Sequence, residues 1–165
     1  MKGAYLALAL GLFTGSALAA ERVIYFGTSA TYPPFEFVDG YNQVAGFDID
    51  IANALCTQLK AKCVFVKQPF ESMIAALNAH KFDAIIASLN MTDARKTEVD
   101  FTDRYYRSAA QLVARKGSPL LPEVASLKGK TVGVQTGSTH EAFAKANWAN
   151  HGVKIVSYAN QDNVY

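Results

Sequence analysis

The sequence predicts an α/β fold with one complete unit, a crossover segment and an unfinished second unit. Three observations carry this. Between residues 23 and 87 short apolar runs alternate with helical patterns in the order strand–helix–strand–helix–strand. A second strand–helix–strand set runs from 131 to 158. At 50% hydrophobic and 18% charged, the 165-residue chain has an ordinary globular composition that can bury a core. Strands alternating with helices in this way form parallel sheets with right-handed crossovers.

The elements follow in order. Lys2 and the apolar stretch 4–13, then Ala17-Leu18-Ala19, have the layout of a cleavable export signal over 1–19. The apolar stretch is too short for a bilayer, which needs roughly 20 apolar residues. No cysteine precedes Cys56, so a lipid anchor at the cleavage point is excluded. Val23-Ile24-Tyr25-Phe26 is a buried strand, followed by a two-proline loop through Phe35. Residues 36–45 read as a hairpin or extended loop around Asp39-Gly40. Asp48 is a plausible N-cap for a helix over about 49–60. Then come a strand at 63–67, a helix at 71–79 with apolar Met73, Ile74 and Leu77, and a buried strand at 82–87.

After Ser88 the pattern changes. Thr92 caps a helix start, and 105–114 reads as extended. Pro119 and Pro122 interrupt, and Thr131-Val132-Gly133-Val134 is a new strand. Ser138 and Glu141 form a capping box opening a helix to about Trp148. Residues 153–158 are a strand, and 161–165 begin a further helix. The expected organisation is a signal over 1–19, lobe one over 20–108, a crossover strand at 109–114, and part of lobe two over 115–165.

Cys56 and Cys63 cannot bond within one continuous helix, where the rise alone would part them by about 10 Å. A helix ending between them allows a bond, and an exported protein favours it; two buried free thiols are the alternative. Two cysteines are too few for a four-cysteine zinc site, and His80, His140 and His151 lack metal-ligand spacing, so no metal or cofactor is expected. A net charge of +2 without basic runs gives no reason to expect nucleic acid. Gly129-Lys130-Thr131 imitates the end of a phosphate loop, but Val124 stands where its first glycine belongs and a strand follows.

Open α/β sheets bind ligands beyond the carboxyl ends of their strands. There stand Ser29 and Tyr32, then Phe70, then Ser88, Asn90 and Arg95, and in the second unit Gln135, Thr136, Ser138, Thr139 and His140. This set recognises rather than reacts, because it offers no acid/base pair. Arg95 can grip a carboxylate with two parallel hydrogen bonds, or be a solvated helix-start arginine. The helix opened by Ser138-Thr139-His140 offers N–H groups to an anion, or is simply a capped helix. Tyr32 and Phe70 can sandwich a side chain or cation, or pack in the core.

These residues resemble a known family. Gly46-Phe47-Asp48-Ile49-Asp50-Ile51-Ala52 with Leu55-Cys56 is similar to the signature of periplasmic amino-acid-binding proteins of ABC importers, solute-binding family 3, of the arginine, lysine–arginine–ornithine and histidine type. Ala30-Thr31-Tyr32-Pro33-Pro34-Phe35, Asp83-Ala84-Ile85-Ile86, Met91-Thr92 with Arg95, the stretch from Leu127 to Val134, and Gly137-Ser138-Thr139 match in the same order. The cysteine pair matches a disulfide of the basic-amino-acid subgroup.

The resemblance implies a type II periplasmic-binding-protein fold, two α/β lobes closing on a ligand cleft. It implies that Arg95 holds the ligand α-carboxylate, helped by N–H groups at Asn90 and Thr139. Ser88 and Asn90 receive the α-ammonium, and Tyr32 and Phe70 flank the side chain. Serine at 29, where some relatives carry aspartate, is similar to the arginine-type members, with Glu36 as a more distant negative charge. Gln135 and His140 complete the expected ligand set. The implied protein is a periplasmic monomer that takes no cofactor, binds a basic amino acid with arginine favoured, and delivers it to an inner-membrane permease. Family members continue beyond residue 165, into the rest of lobe two and an acidic residue of the ammonium site. The sequence is therefore expected to be a fragment that binds weakly by itself, since a buried ammonium without its acid is costly. The alternatives are a cyclohexadienyl-dehydratase-like enzyme, which needs a proton donor or acceptor in the cleft, and a sensor-kinase receptor domain.

Overall fold

A computed structural model describes residues 21–165, and the export signal expected over 1–19 lies outside them. The first sheet has three parallel strands in the order β5-β1-β6, built from β1 (Arg22–Thr28), β5 (Ala61–Lys67) and β6 (Ala84–Ile85). Its apolar residues alternate between faces, as strand geometry requires. Ile24, Phe26, Cys63, Phe65, Ala84 and Ile86 meet Ala52 and Cys56 of helix α1 (Phe47–Gln58) on one face. Val66, Ile85 and Ala87 meet Met73 and Ala76 of helix α2 (Met73–Asn78) on the other. Phe82 closes that side, its ring lying so tightly on Gly27 that a Cβ there would come within 2.5 Å of it.

The hairpin expected at 36–45 forms, and widens into an antiparallel sheet of β2 (Thr31–Tyr32), β3 (Glu36–Val38) and β4 (Val44–Ala45). The Cys56–Cys63 disulfide is present and clips the end of α1 to the start of β5.

Several elements differ from the sequence reading. Gly46, not Asp48, caps α1, and Asp48 is the helix's second residue and fully buried. Gly46 has φ 122° and ψ 177°, and its site is so closed that only glycine fits. The helix expected at 71–79 begins as a 3-10 turn, Phe70–Ser72. The strand at 82–87 shortens to two residues, although Asp83 N–H and Ile86 N–H still donate to Tyr25 and Gly27 carbonyls. The crossover strand at 109–114 is not a strand, because the segment has no ladder partner. The further helix at 161–165 is a single 3-10 turn, Gln161–Asn163.

The second parallel sheet pairs β7 (Thr131–Gln135) with β8 (Lys154–Tyr158), connected through helix α5 (Thr139–Asn147). Leu127, from the short helix α4 (Val124–Leu127), packs with Val134, Ala144, Trp148 and Val153 as a separate core. Ser138 caps α5, its Oγ accepting from Glu141 N–H at 3.1 Å. The box closes one residue early, for Glu141 Oε2 takes the N–H of Gly137 at 2.7 Å instead of that of Ser138. The remaining short helix, α3 (Asp93–Lys96), starts as expected at Thr92, whose Oγ1 accepts from Arg95 N–H.

Candidate functional site

The parallel ladders point their carboxyl ends to one region, and the sequence candidates gather there. Ser29 follows β1, Phe70 follows β5, Ser88 and Asn90 follow β6, and Gln135 ends β7. A cavity of about 350 Å³ beyond β6 is lined by Ser88, Asn90 and the segment 101–108, with Thr139 across a gap from the second unit.

Arg95 spans this gap. Its Nη1 donates to the Asn90 carbonyl at 2.7 Å and its Nη2 to the Gly137 carbonyl at 2.9 Å. The guanidinium lies 5.8 Å from the centroid of the Phe70 ring, a cation–π distance. Partial burial pulls its pKa down. A guanidinium has five N–H donors, so these two bonds leave others for an anion. A second bridge runs from Asn90 Nδ2 to Thr139 Oγ1 at 2.9 Å. Gly137 meets the 70–72 turn so closely that a Cβ on it would come 2.9 Å from Glu71 Cα. The two sheets thus face each other with Arg95, Asn90 and Gly137 between them.

Tyr32 belongs to an aromatic group of its own. It stacks on Phe35 at 5.1 Å, and Phe35 stacks on Tyr106 at 5.0 Å. Phe47 and Tyr105 extend the group. Burial pushes the hydroxyl pKa values of Tyr32 and Tyr105 up. Gln135 is buried with its Nε2 unpartnered. His140 is exposed, next to Thr139 at the start of α5.

Two fully buried carboxylates stand behind the cleft. Glu36 accepts from the Thr28 hydroxyl, from Ser29 Oγ at 2.7 Å and from Ala30 N–H at 2.7 Å. Asp48 accepts through Oδ2 from Ser88 N–H at 2.6 Å and Ser88 Oγ at 2.9 Å. Burial pushes both carboxyl groups above their ordinary values, against these hydrogen bonds. Sequence reading missed Asp48 in this role. Its partner is 40 positions away, so no local signal marks it. Gly137 had a signal, its place before the Ser138 cap, but the close approach to Glu71 is tertiary.

The arrangement presents cationic donors at one point and hydroxyl oxygens backed by negative charge at others. That is suited to a zwitterion with a further cation. Among the described residues no group of three or more His, Cys, Asp and Glu could hold a metal ion.

Residues 24–161 match the bacterial extracellular solute-binding proteins, family 3. The chain is 46% identical over 169 residues to the lysine/arginine/ornithine-binding periplasmic protein of Escherichia coli K12, and 45% identical over 169 residues to the histidine-binding periplasmic protein of Salmonella typhimurium. Each alignment covers 100% of this chain and 65% of the relative, so the chain spans about two thirds of their length. Among solved structures, a Salmonella typhimurium periplasmic binding protein described for high arginine specificity superposes with TM-score 0.77 at 42% identity, over 86% of this chain and 62% of that one.

Proposed function

The chain belongs to the bacterial extracellular solute-binding proteins, family 3, and on that premise we propose that it captures a basic L-amino acid, arginine first, in a periplasmic cleft. Lobe one, over 20–108, and lobe two, from 115 onward, supply the two sides, and the loaded protein hands its ligand to an ABC permease. The observation that carries this is Arg95, whose guanidinium reaches both sheets while stacked on Phe70 and keeps donors free for an α-carboxylate. Asn90 and Thr139 flank it, and Ser88 offers its hydroxyl to the α-ammonium. Ser29 donates its proton to buried Glu36, so its lone pairs face a side-chain cation with negative charge behind them. Tyr32 and Phe70 provide aromatic faces along the side chain. Gln135, buried with its Nε2 unpartnered, and His140, exposed next to Thr139, complete the set.

Catalysis on this scaffold needs a positioned proton donor or acceptor. The relatives this chain matches are named as binding proteins, which favours a carrier.

The test is the thermal midpoint of the intact protein with arginine, lysine, ornithine and histidine. A ligand at 100 times its Kd stabilises the folded state by about 2.7 kcal/mol, and arginine should give the largest rise. Arg95→Lys loses the planar fork and should weaken binding by at least about tenfold. No shift with any of the four amino acids would overturn the reading.

A further inference from the structure

We propose that Asp48 is a positioning residue for ligand recognition, holding Ser88 so that its hydroxyl can only accept a hydrogen bond from the cleft. The inference rests on the reading above and deepens it, by assigning the group that fixes which ligand chemistry fits beside Ser88.

The geometry is specific. Ser88 has φ +48°, left-handed backbone that a non-glycine residue adopts only at a cost. Both its N–H and its Oγ–H point at one atom, Asp48 Oδ2. Bonds to an ionised carboxylate are roughly twice as strong as neutral ones, which offsets the backbone cost. A serine hydroxyl has one proton and two lone pairs. With the proton committed to Asp48, only lone pairs remain, and Ser88 lines the cavity. A position of that kind accepts an ammonium and rejects a group that brings acceptors alone.

Asp48 itself is fully buried and does not line the cavity, so it acts through Ser88. Its placement is rigid. It is the second residue of α1, where the helix dipole favours a negative charge, and its own N–H donates to the Phe35 carbonyl at 2.8 Å. Its Oδ1 is buried with no hydrogen-bond partner. The Tyr105 hydroxyl also lies within reach of this carboxylate, yet a charged group kept in so dry a place is costly, so stability alone does not explain it.

Asp48→Asn tests this. The amide oxygen can still accept from Ser88 N–H, but it is neutral, so the charge-assisted hold on the serine hydroxyl is lost and its proton is no longer committed away from the cleft. Affinities of the intact protein are measured for arginine and for 5-guanidinopentanoate, the same molecule without its α-amino group. The expected result is a loss of about 10- to 100-fold for arginine with less than about threefold change for the analogue. Equal losses for both would mean that Asp48 only supports the fold, and would overturn the inference while leaving arginine binding by the wild type intact. A wild type that binds no basic amino acid would instead overturn the functional reading, and this inference with it. Should Asp48→Asn fail to fold, Ser88→Ala is read with the same pair. A loss confined to arginine supports the acceptor role, and an equal loss overturns it.

Discussion

Replacing Gly46 with alanine should remove a large part of the stability of the first unit. The backbone there, φ 122° and ψ 177°, lies in a region that is essentially glycine-only, and forcing a residue with a Cβ into it costs about 1–3 kcal/mol. The space is closed as well. An added Cβ would lie 2.4 Å from the Phe35 carbonyl oxygen and 2.8 Å from that of Pro34, well inside the ~3.3 Å of an ordinary carbon–oxygen contact. Those two oxygens cannot simply retreat, since they accept the N–H groups of Asp48 at 2.8 Å and Phe47 at 3.1 Å that anchor the start of α1. Losing either bond costs about 1 kcal/mol. Strain and weakened anchoring together give about 2–5 kcal/mol, against a typical total of about 5–15 kcal/mol. In a thermal melt this is a fall of roughly 6–15 °C, at ~3 °C per kcal/mol for a chain of this size. Gly129→Ala is the control. Its φ of +76° also favours glycine, but nothing lies within 4 Å of its added Cβ, so it should lose only about 1 kcal/mol. If Gly46→Ala melts no lower than Gly129→Ala, the closed-site argument is wrong.

Two further outcomes are expected. Cys56→Ser/Cys63→Ser, or reduction, reopens a loop with a sequence separation of 7 and should cost about 2.5 kcal/mol in the chain-entropy account, read as a lower urea midpoint. Burial pushes the Glu141 carboxyl up, but Lys145 at 2.7 Å, Ser157 and Gly137 N–H more than reverse this and hold it below the usual range. Its folded-state value is therefore depressed, so its stabilisation is present above the ordinary glutamate range and is lost as pH falls through the folded value. Glu141→Gln should accordingly be about 1–2 kcal/mol less stable than wild type at pH 7, with the gap closing as pH falls through the folded-state value; a gap unchanged in acid would refute this.

What was legible in the sequence was what local chemistry decides. Thr92 and Ser138 each cap a helix by accepting from an N–H three residues on, a contact wholly contained in the sequence that announces it. The strand–helix alternation and the gathering of Ser29, Ser88, Asn90 and Arg95 at strand ends follow from periodicity and from the rule on carboxyl ends. Asp48 misled because an acidic residue at a helix start resembles a cap, while its partner is set by tertiary structure. The segment 109–114, expected as a crossover strand, forms no ladder for a related reason. Its residues favour extension, yet a strand is defined by a neighbour's hydrogen bonds, and propensity cannot supply the neighbour. The stacking of Tyr32 on Phe35 is local, but its continuation to Tyr106 joins two distant parts of the chain and no local pattern announces it.

The position of β1 in its sheet sets a clock on the chain. It is the middle strand, yet both partners, β5 and β6, come later in sequence and pair with it in parallel, so no tight turn can satisfy it early. A ribosome working at ~5–20 residues per second needs roughly 3–11 s to pass from the end of β1 to the end of β6. Throughout that interval the strand that will lie at the centre of the sheet has two open edges, and any factor that must handle the chain before it folds has that time in which to do so.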